Sequence, residues 1–395
     1  MRILTFSTLF PNSALPQHGI FVAERLKHLL ASGAVDASVV APVPWFPVAS
    51  SVFPAYSKWS TVPRAEVFEG IQVLHPRYPV IPKIGMSIAP ALLALWTRRT
   101  LRRILAEGGE FDLIDAHYFY PDGVAAVLIG RWLDKPVVIT GRGTDLNLIP
   151  QYRLPRYLIR WAAARAAELA TVSDSLRIAL TALGVPESKT RTLRNGVDLQ
   201  VFKPLPDRAQ LRTELGVTGT SLLTVGHLIE RKGHHLVIQA LASLPEDVEL
   251  RIAGDGPMDA ELRRIVREEG VAGRVHFLGR LDRTALVKVY NAADVLVLAS
   301  SREGMANVLL ESMSCGTPVV ATNVWGAPEV VDDQAGELVA ARQPDALARG
   351  VIRLLERGVA REAVRCHAER FSWEATTQGQ LDMFESAMRG RSREC

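Results

Sequence analysis

The sequence is poor in cysteine and has no long apolar run. Only three of its 395 residues are cysteines, and no two of them form a Cys-x-x-Cys pair. This argues against a disulfide framework and a cysteine zinc site, and it fits a reducing cytoplasm. Apolar runs stay below the roughly 18 to 20 residues that a membrane-spanning helix needs, and the N-terminus lacks the apolar core and cleavage site of a signal peptide. A cytoplasmic location is therefore expected.

Several motifs of phosphate chemistry are also missing. The chain has no GxxxxGKS/T loop, which argues against a P-loop kinase. It has no Asp-x-Asp pair that could hold a divalent metal against a diphosphate, so neither a metal nor another cofactor is expected, and Lys, Arg and backbone N–H groups would neutralise phosphate. The segment AGDGPM lacks the third glycine of a dinucleotide fingerprint. Nucleic acid is not expected as a partner because zinc-finger spacing and RNP-like motifs are absent.

Charge is distributed unevenly along the chain. Residues 1–200 contain 22 of the 46 Lys and Arg but only 15 of the 42 Asp and Glu. A basic first half indicates an anionic partner, such as lipid phosphate or a phosphorylated acceptor. Within it, residues 84–105 combine an apolar stretch with four arginines, as in helices that lie on an anionic membrane. A solvated surface helix would show the same pattern, so both interpretations stay open.

Short apolar runs alternate with helical patterns through most of the chain. Buried parallel strands read as continuous apolar runs, so the alternation predicts an α/β fold with parallel sheets. The pattern restarts after RNGVDLQVFKPLP, whose prolines mark a linker. We predict two doubly wound, Rossmann-like domains over residues 1–200 and 201–372 that face a central cleft. Residues 373–395 read as a last helix that returns to the first domain.

Two glutamates eight positions apart mark the most informative segment, LASSREGMANVLLESMSCGTPVVAT. An apolar run leads into a polar loop with Glu303, a helix is predicted from about Met305, and Glu311 falls about two turns into it. The first N–H groups of a helix lack internal partners and attract phosphate. Carboxylates beside them are good acceptors for hydroxyl groups. A ligand with phosphates in the middle and hydroxyls at both ends fits this arrangement, as in a nucleotide sugar.

Polar side chains also follow another strand predicted in the same sheet. Strand ends in open α/β sheets face the ligand crevice. In TVGHLIERKG the strand ends at Gly226, and the loop after it offers His227, Arg231 and Lys232 to a diphosphate. A solvated loop is the simpler interpretation of Arg231 alone, but the helix start near Met305 adds a second element that attracts anions.

Three turns of the first domain are candidates for ligand contact. His117 ends the strand in DLIDAHYFYPDG, where a structural role and a catalytic role are equally open. Arg142 and Asp145 follow the next strand in TGRGTDLN, whose glycines could simply make the turn. Gly19 lies at the first strand-to-helix turn, where a backbone can approach a ligand closely or merely enter the helix.

These motifs together resemble the family 4 glycosyltransferases with the GT-B fold. SREGMANVLLESMSCGTPVVAT is similar to the Glu-x7-Glu signature of that family, VGHLIERKG to its phosphate-binding loop and LRNGVDLQVF to its interdomain segment. AGDGP, RVHFLGRL and the WGAPEVV turn are also typical. HGIFVAERL, DAHYFYPDG and TGRGTDLN are most similar to bacterial members that build teichuronic acids or exopolysaccharides.

The resemblance implies transfer of a sugar from a nucleotide donor, usually UDP-linked, with retention of anomeric configuration and without a metal. The acceptor would be a lipid-linked or oligosaccharide hydroxyl in cell-surface polysaccharide or glycolipid synthesis. Glu311 would hold the ribose hydroxyls and Glu303 those of the donor sugar, while His117 would face the transferred sugar with Arg142 and Asp145 on the acceptor side. The full set of other residues expected at the donor, from the turns and from the resemblance together, is Gly19, Gly226, His227, Arg231, Lys232, Arg280, Leu281, Gly304, Met305, Ala306 and Asn307.

Two departures from the family pattern bear on donor binding. His227 stands where many members have Arg, so one phosphate contact would be weaker or pass to Arg231. Ala306 stands where related members often have Pro, so this position gives less information about which sugar the donor carries.

Within the implied site, the residues expected to take part in the chemistry are His117, Lys232 and Glu303. Same-face attack is the expected mechanism, with Glu303 as a covalent nucleophile its main rival. A hydrolysing nucleotide-sugar 2-epimerase and a non-catalytic sugar-nucleotide-binding protein are the alternative functions. The missing glycine fingerprint argues against a nicotinamide-dependent oxidoreductase.

Overall fold

The computed structural model of this chain describes residues 1–45, 59–80 and 85–391, and it divides into two compact units. Unit 1 consists of Met1–Asn195 together with the segment that begins at Glu374, and unit 2 consists of Gly196–Trp373. Residue 84 of the basic segment, which is residues 84–105, and residues 392–395 of the predicted last helix lie outside the described residues.

Unit 1 is built on a sheet of eight strands. The strands of unit 1 are β1 (Arg2–Phe6), β2 (Asp36–Val40), β3 (Val43–Trp45), β4 (Ala65–Phe68), β5 (Ile71–Leu74), β6 (Arg77–Pro79), β7 (Leu113–His117), β8 (Val137–Gly141), β9 (Glu168–Thr171) and β10 (Thr190–Thr192). The sheet order is β10-β9-β8-β7-β1-β2-β5-β4, and β3 and β6 form a separate parallel pair. Neighbouring strands of the sheet are parallel except for the hairpin between β4 and β5.

Every residue of β7 and β8 is buried, as expected for parallel strands that are covered on both faces. The helices of unit 1 are α1 (Ile20–Ala31), α2 (Gly85–Ala106), α3 (Val124–Leu133), α4 (Thr144–Asn147), α5 (Arg153–Arg165) and α6 (Asp174–Ala182). Helix α3 packs against both α2 and α5, so these three helices form one layer.

Unit 2 has a sheet of six parallel strands and a helix after most of them. Its strands are β11 (Thr220–Val225), β12 (Val248–Ala253), β13 (Val275–Gly279), β14 (Val295–Leu298), β15 (Val319–Thr322) and β16 (Gly336–Val339). Its helices are α7 (Arg208–Glu214), α8 (His234–Ala242), α9 (Asp259–Glu268), α10 (Arg283–Ala292), α11 (Asn307–Ser314), α12 (Pro344–Arg357) and α13 (Arg361–Glu369). The order β13-β12-β11-β14-β15-β16 is the doubly wound order of a Rossmann fold.

The last helix, α14 (Trp373–Arg391), begins in unit 2 and continues in unit 1. Its Met383 and Phe384 are fully buried in the same apolar core as Ile3 and Val22. Burying each such side chain contributes roughly 1.5 to 3 kcal/mol, so α14 is an integral part of unit 1.

Candidate functional site

Strand order places the two predicted donor motifs side by side in unit 2. Strands β11 and β14 are neighbours, and the direction of the chain's winding reverses between them. Open α/β sheets bind ligands beyond the carboxyl ends of the strands at such a reversal. The loop after β11 covers residues 226–233, and the loop after β14 covers residues 299–306. The fold thus brings the cation-bearing loop next to the loop that carries Glu303.

Glu303 lies at the centre of a cluster of charged groups. Its Oε1 accepts hydrogen bonds from Lys232 Nζ and Ser300 Oγ, both at 2.6 Å. Its Oε2 lies 3.3 Å from Arg231 Nη1. Only 7% of Glu303 is exposed, whereas Arg231 keeps 26% of its side chain exposed. The arginine therefore remains accessible from solvent while it is paired.

Glu303 is ionised in this cluster. Burial by itself would raise the pKa of Glu303, but the charges of Lys232 and Arg231 and the hydrogen bonds from Lys232 and Ser300 outweigh burial and lower that pKa. Two cations share one carboxylate, so the trio has one positive charge in excess. An entering diphosphate would meet this excess charge and compete with Glu303 for both cations.

Two hydrogen bonds to backbone oxygens join the two loops. Ser301 N donates to Arg231 O at 2.8 Å, and Arg231 Nη1 donates to Arg302 O at 2.8 Å. Gly233, at the start of α8, has a φ of +73°, and a Cβ there would lie 2.1 Å from the carbonyl oxygen of Ala299. Only glycine permits this approach, which holds the cation-bearing loop against the end of β14.

Arg342 is a structural member of this site that the sequence analysis missed. Its Nε donates to Ala299 O at 2.9 Å, and its Nη1 and Nη2 bind Glu230 Oε1 at 2.8 Å and Glu230 O at 2.6 Å. It thereby ties the loop after β11 to the end of β14. Its position in the sequence could have indicated this role, because Arg342 follows β16 and therefore lies at the carboxyl ends of the strands, as the two loops do.

The helix of the Glu303 segment begins later than predicted. Helix α11 starts at Asn307 with Ala306 as its N-cap, so the prediction of a start at about Met305 was wrong by two residues. Glu311 consequently lies one turn into the helix instead of two. Gly304, Met305 and Ala306 are buried in the approach to the helix. Their backbone, together with that of Asn307, forms the start that was predicted to meet phosphate and sugar.

Glu311 is held by a buried tyrosine. Tyr290 Oη donates to Glu311 Oε2 at 2.8 Å. Burial raises the pKa of Tyr290 well above its ordinary value, and the charge of Glu311 and its hydrogen bond to Tyr290 raise it further, so the phenol stays protonated and donates. The contact between Tyr290 and Glu311 could not be predicted from the sequence, because Tyr290 lies on α10 and Glu311 on α11.

His227 and Arg280 share one partner. His227 Nδ1 lies 2.6 Å from the backbone oxygen of Asp255, and Arg280 Nη2 lies 3.0 Å from Asp255 Oδ2. The side chains of His227, Asp255 and Arg280 are 57%, 54% and 50% exposed, so all three are accessible to a ligand. Gly226 precedes His227 with a φ of +151°, and the partly buried Leu281 follows Arg280.

His117 in unit 1 has both ring nitrogens engaged. Arg142 Nη2 lies 2.7 Å from His117 Nδ1, and Asp115 Oδ2 lies 3.1 Å from His117 Nε2. An arginine can only donate and an ionised carboxylate can only accept, so the proton of the neutral ring is on Nε2. Burial lowers the pKa of His117 to about 4, with the charge of Arg142 adding to burial and Asp115 opposing it.

The network around His117 extends to the last helix. Gln380 on α14 donates from Nε2 to Asp115 Oδ2 at 2.9 Å and accepts at Oε1 from Arg25 Nε at 2.8 Å. Burial raises the pKa of Asp115, but His117, Arg25 and Arg142 outweigh it and the pKa is lowered. A ring nitrogen of His117 could contact a sugar only by exchanging one of these partners.

Arg142 and Asp145 are also buried within unit 1. Arg142 Nη1 donates to Asn195 Oδ1 at 3.0 Å. Asp145 accepts from the backbone N–H groups of Phe119 and Gly143, both at 2.7 Å. Burial raises the pKa of Asp145 in spite of these bonds. In this structure, therefore, Asp145 stabilises the turn after β8.

Two residues define the turn after β1. Gly19 caps α1 with a φ of +66°, and a Cβ there would lie 2.3 Å from the carbonyl carbon of Leu9, so close packing requires a glycine. Asp122, which the sequence analysis did not select, accepts from Thr8 N at 2.7 Å and Ser7 Oγ at 3.2 Å. Burial raises the pKa of Asp122 to about 7, although these hydrogen bonds oppose the shift.

The basic segment forms α2, which exposes apolar side chains. Leu95 is 52% exposed, and Met86 and Trp96 are each 44% exposed. Arg98 lies over the ring of Trp132 on α3, 5.4 Å from its centroid. Among the described residues, no helix is long and apolar enough to cross a membrane.

Two family models match the chain and together cover most of it. The model described as Glycosyltransferase Family 4 matches residues 22–201. The model described as Glycosyl transferases group 1 matches residues 209–371, which lie in unit 2.

Curated relatives are similar over most of their length. A D-inositol 3-phosphate glycosyltransferase of Saccharomonospora viridis is 31% identical over 374 residues, covering 86% of this chain and 85% of the relative. A Bacillus subtilis glycosyltransferase named for teichuronic acid biosynthesis, TuaC, is 27% identical over 365 residues, covering 89% of each chain.

Solved structures share the architecture at lower identity. Anabaena Alr3699/HepE, solved in complex with UDP, matches with a TM-score of 0.73 at 20% identity, covering 98% of this chain and 100% of that chain. Sucrose-phosphate synthase from Thermosynechococcus elongatus matches with a TM-score of 0.77 at 21% identity, covering 98% and 99%. The family matches and this architecture agree: the chain belongs to glycosyltransferase family 4 and is a glycosyltransferase with the GT-B fold.

Proposed function

We propose that this glycosyltransferase moves a sugar from a UDP-sugar to a hydroxyl group of a lipid-linked or oligosaccharide acceptor, with retention of anomeric configuration. The observation that carries the proposal is the cluster of Glu303, Lys232 and Arg231 at the strand reversal of unit 2. It combines excess positive charge with a carboxylate that can accept from hydroxyls. A nucleotide sugar needs both.

Donor binding divides among four parts of unit 2. Lys232 and Arg231 meet the diphosphate, together with the backbone start of α11. Glu311, oriented by Tyr290, accepts from the ribose hydroxyls. The exposed pair of His227 and Arg280 lies toward phosphate and base.

Glu303 binds the donor sugar through Oε2. Oε1 already accepts two hydrogen bonds, whereas Oε2 lies 3.3 Å from Arg231 Nη1. A carboxylate oxygen can accept two bonds, so Oε2 retains capacity for a hydroxyl. The same pairing with cations makes Glu303 a weak nucleophile, which supports same-face attack over a covalent intermediate.

The proposed step breaks the bond between the anomeric carbon and the phosphate oxygen. The acceptor oxygen attacks on the same face and forms the new glycosidic bond, and its proton passes to the departing phosphate oxygen. Negative charge grows on the diphosphate as the bond breaks, and Lys232 and Arg231 stabilise it there. Interactions that strengthen in the transition state lower the barrier.

We further propose that the reaction needs no divalent metal, because two basic side chains and a helix start provide the charge that a metal would otherwise supply. On the acceptor side the proposal keeps His117, Arg142 and Asp145 of unit 1, each of which would have to exchange a buried partner to contact a ligand. It also includes peripheral contact of α2 with an anionic membrane. The names of the relatives, which include inositol phosphate and teichuronic acid glycosyltransferases, support an acceptor of this hydroxyl-bearing class.

A donor screen tests the proposed function. Thermal shift and nucleotide release are measured over UDP-, GDP- and ADP-sugars, with and without EDTA and with and without candidate acceptors. We expect stabilisation by a UDP-sugar that survives EDTA and release of UDP that depends on acceptor. Release of free sugar without any acceptor would indicate a hydrolysing epimerase instead. A strict need for a divalent metal would contradict the proposal.

A further inference from the structure

Unit 1 has a basic groove along α5 that plays no part in the proposed chemistry. Two adjoining cavities of about 350 and 390 Å³ lie beside α5 and share Arg160 as a wall. The first is also lined by positions within 146–151 and by residues 182–183, and the second by residues 184–186. Arg156 lines the first cavity and Arg165 the second. The groove therefore runs along most of α5.

The charge of this groove is uncompensated. Arg156, Arg160 and Arg165 are exposed, and no acidic residue occurs among the described residues that line the two cavities. In the described part of the chain none of these arginines forms an ion pair with a carboxylate: Arg156 Nη2 donates to the backbone oxygen of Gln151 at 3.4 Å, and Arg165 stacks on Trp161 at 4.8 Å. Such a groove attracts an anion.

Apolar and aromatic side chains surround the arginines. Tyr157 is 64% exposed, Tyr152 is 52% exposed and Leu154 is 46% exposed. Tyr157 and Trp161 also line the second cavity. Aromatic rings interleaved with arginines are typical of surfaces that lie in the interface of a membrane, where rings reach the acyl boundary and guanidinium groups meet phosphate.

We propose that this groove binds the headgroup of an anionic phospholipid and docks unit 1 on a membrane surface. The inference rests on the membrane contact proposed above, names a headgroup site for it on a different helix, and does not depend on the donor. Helix α3 packs against both α2 and α5, so the apolar side chains of α2 and the arginines of α5 belong to one helical layer.

Vesicle co-sedimentation of the full chain tests this inference. The probes are phosphatidylcholine vesicles with and without phosphatidylglycerol. We expect the wild-type protein to bind only the anionic vesicles and its binding to weaken with added salt. The double substitution Arg160→Gln/Arg165→Gln should weaken binding about twenty-five-fold, from about fivefold for each arginine near the surface.

Two further double variants test whether the loss of vesicle binding is specific to the arginines of α5. Arg267→Gln/Arg349→Gln removes exposed arginines of unit 2 and leaves vesicle affinity unchanged. Arg98→Gln/Arg102→Gln, on α2, reports whether that helix alone carries the binding.

Each outcome supports or overturns the proposal that the groove binds an anionic headgroup. Loss of binding by the Arg160/Arg165 variant, with its nucleotide release unchanged, supports it, whether or not the α2 variant also binds more weakly. Wild-type levels of binding by that variant, or complete loss through the α2 variant alone, overturn it. Equal affinity of the wild-type protein for a soluble polyanion such as heparin and for anionic vesicles also overturns it.

Discussion

At the scale of single residues, Glu303 pairs with both cations of the proposed donor site, Lys232 and Arg231. The carboxylate is ionised and nearly buried, and it binds Lys232 and Arg231 on different oxygens. The sequence placed these residues at strand ends, but it contained no sign that they pair with one another. If the donor diphosphate binds here as proposed, it must compete with Glu303 for both cations.

Replacing Lys232 tests the role of charge in the chemical step. Lys232→Met keeps the length of the stem and removes the ammonium group, so we expect kcat to fall about a hundredfold to a thousandfold because the leaving diphosphate loses a stabilising donor. The matched control is Lys288→Met, which alters an exposed lysine of α10 in the same unit. Initial rates of UDP release at saturating donor measure both. An unchanged kcat for Lys232→Met would remove the lysine from the mechanism.

Because the pKa of His117 is lowered on folding, this residue makes the free energy of unfolding fall as the pH falls. Its pKa is about 4 in the folded chain and 6.5 as an ordinary histidine, so the unfolded chain binds more protons between these values. The contribution of His117 to the free energy of unfolding is complete above pH 6.5 and declines as pH falls toward 4, by roughly 3 to 4 kcal/mol at most. Urea unfolding at several pH values should therefore show a weaker acid sensitivity in His117→Gln than in the wild-type protein. Parallel pH profiles for the two proteins would refute this.

At the scale of elements, the site depends on loops that are held against neighbouring strands. The alternation of apolar runs predicted the sheets, and β7 ends at His117 as predicted. The start of α11 was misplaced by two residues because the approach through Met305 and Ala306 is buried yet not helical. Arg342 and Tyr290 were missed because each acts on an element distant in the sequence.

Gly233 tests the contact between the cation-bearing loop and β14. Gly233→Ala places a Cβ 2.1 Å from Ala299 O at a φ of +73°. Gly216→Ala is the control, because its φ is +63° but no atom lies within 4 Å of the added Cβ. The control should lose only about 1 to 2 kcal/mol of unfolding free energy. Gly233→Ala should lose more and also weaken donor binding, and equal effects on stability and binding in the two variants would contradict the contact.

Gln380 tests the contribution of α14 to the network around His117. Gln380→Leu removes one buried hydrogen-bond partner from Arg25 and one from Asp115, which should cost about 2 to 5 kcal/mol of unfolding free energy. Gln378→Leu, at an exposed position of the same helix, should be nearly neutral. Chemical unfolding of both variants measures the difference. If the two losses are alike, Gln380 does not hold the network together.

At the scale of the whole molecule, the sequence predicted two Rossmann-like domains and their family. It could not predict which strands would be neighbours, and that order is what places Lys232 beside Glu303. Nor could it predict contacts such as Gln380 with Arg25, which are 355 positions apart. Local patterns determine elements, whereas the charge pairing of a site follows from packing over the full chain.

Calorimetric titration of UDP in the presence of EDTA tests the central claim most directly, that unit 2 binds a uridine nucleotide through side chains without a metal. We predict that UDP binds the wild-type protein and that Glu311→Ala weakens binding by about tenfold or more, since hydrogen bonds to a charged group contribute about 1.5 to 3 kcal/mol. Absence of UDP binding in EDTA, or equal affinity in Glu311→Ala, would contradict the account.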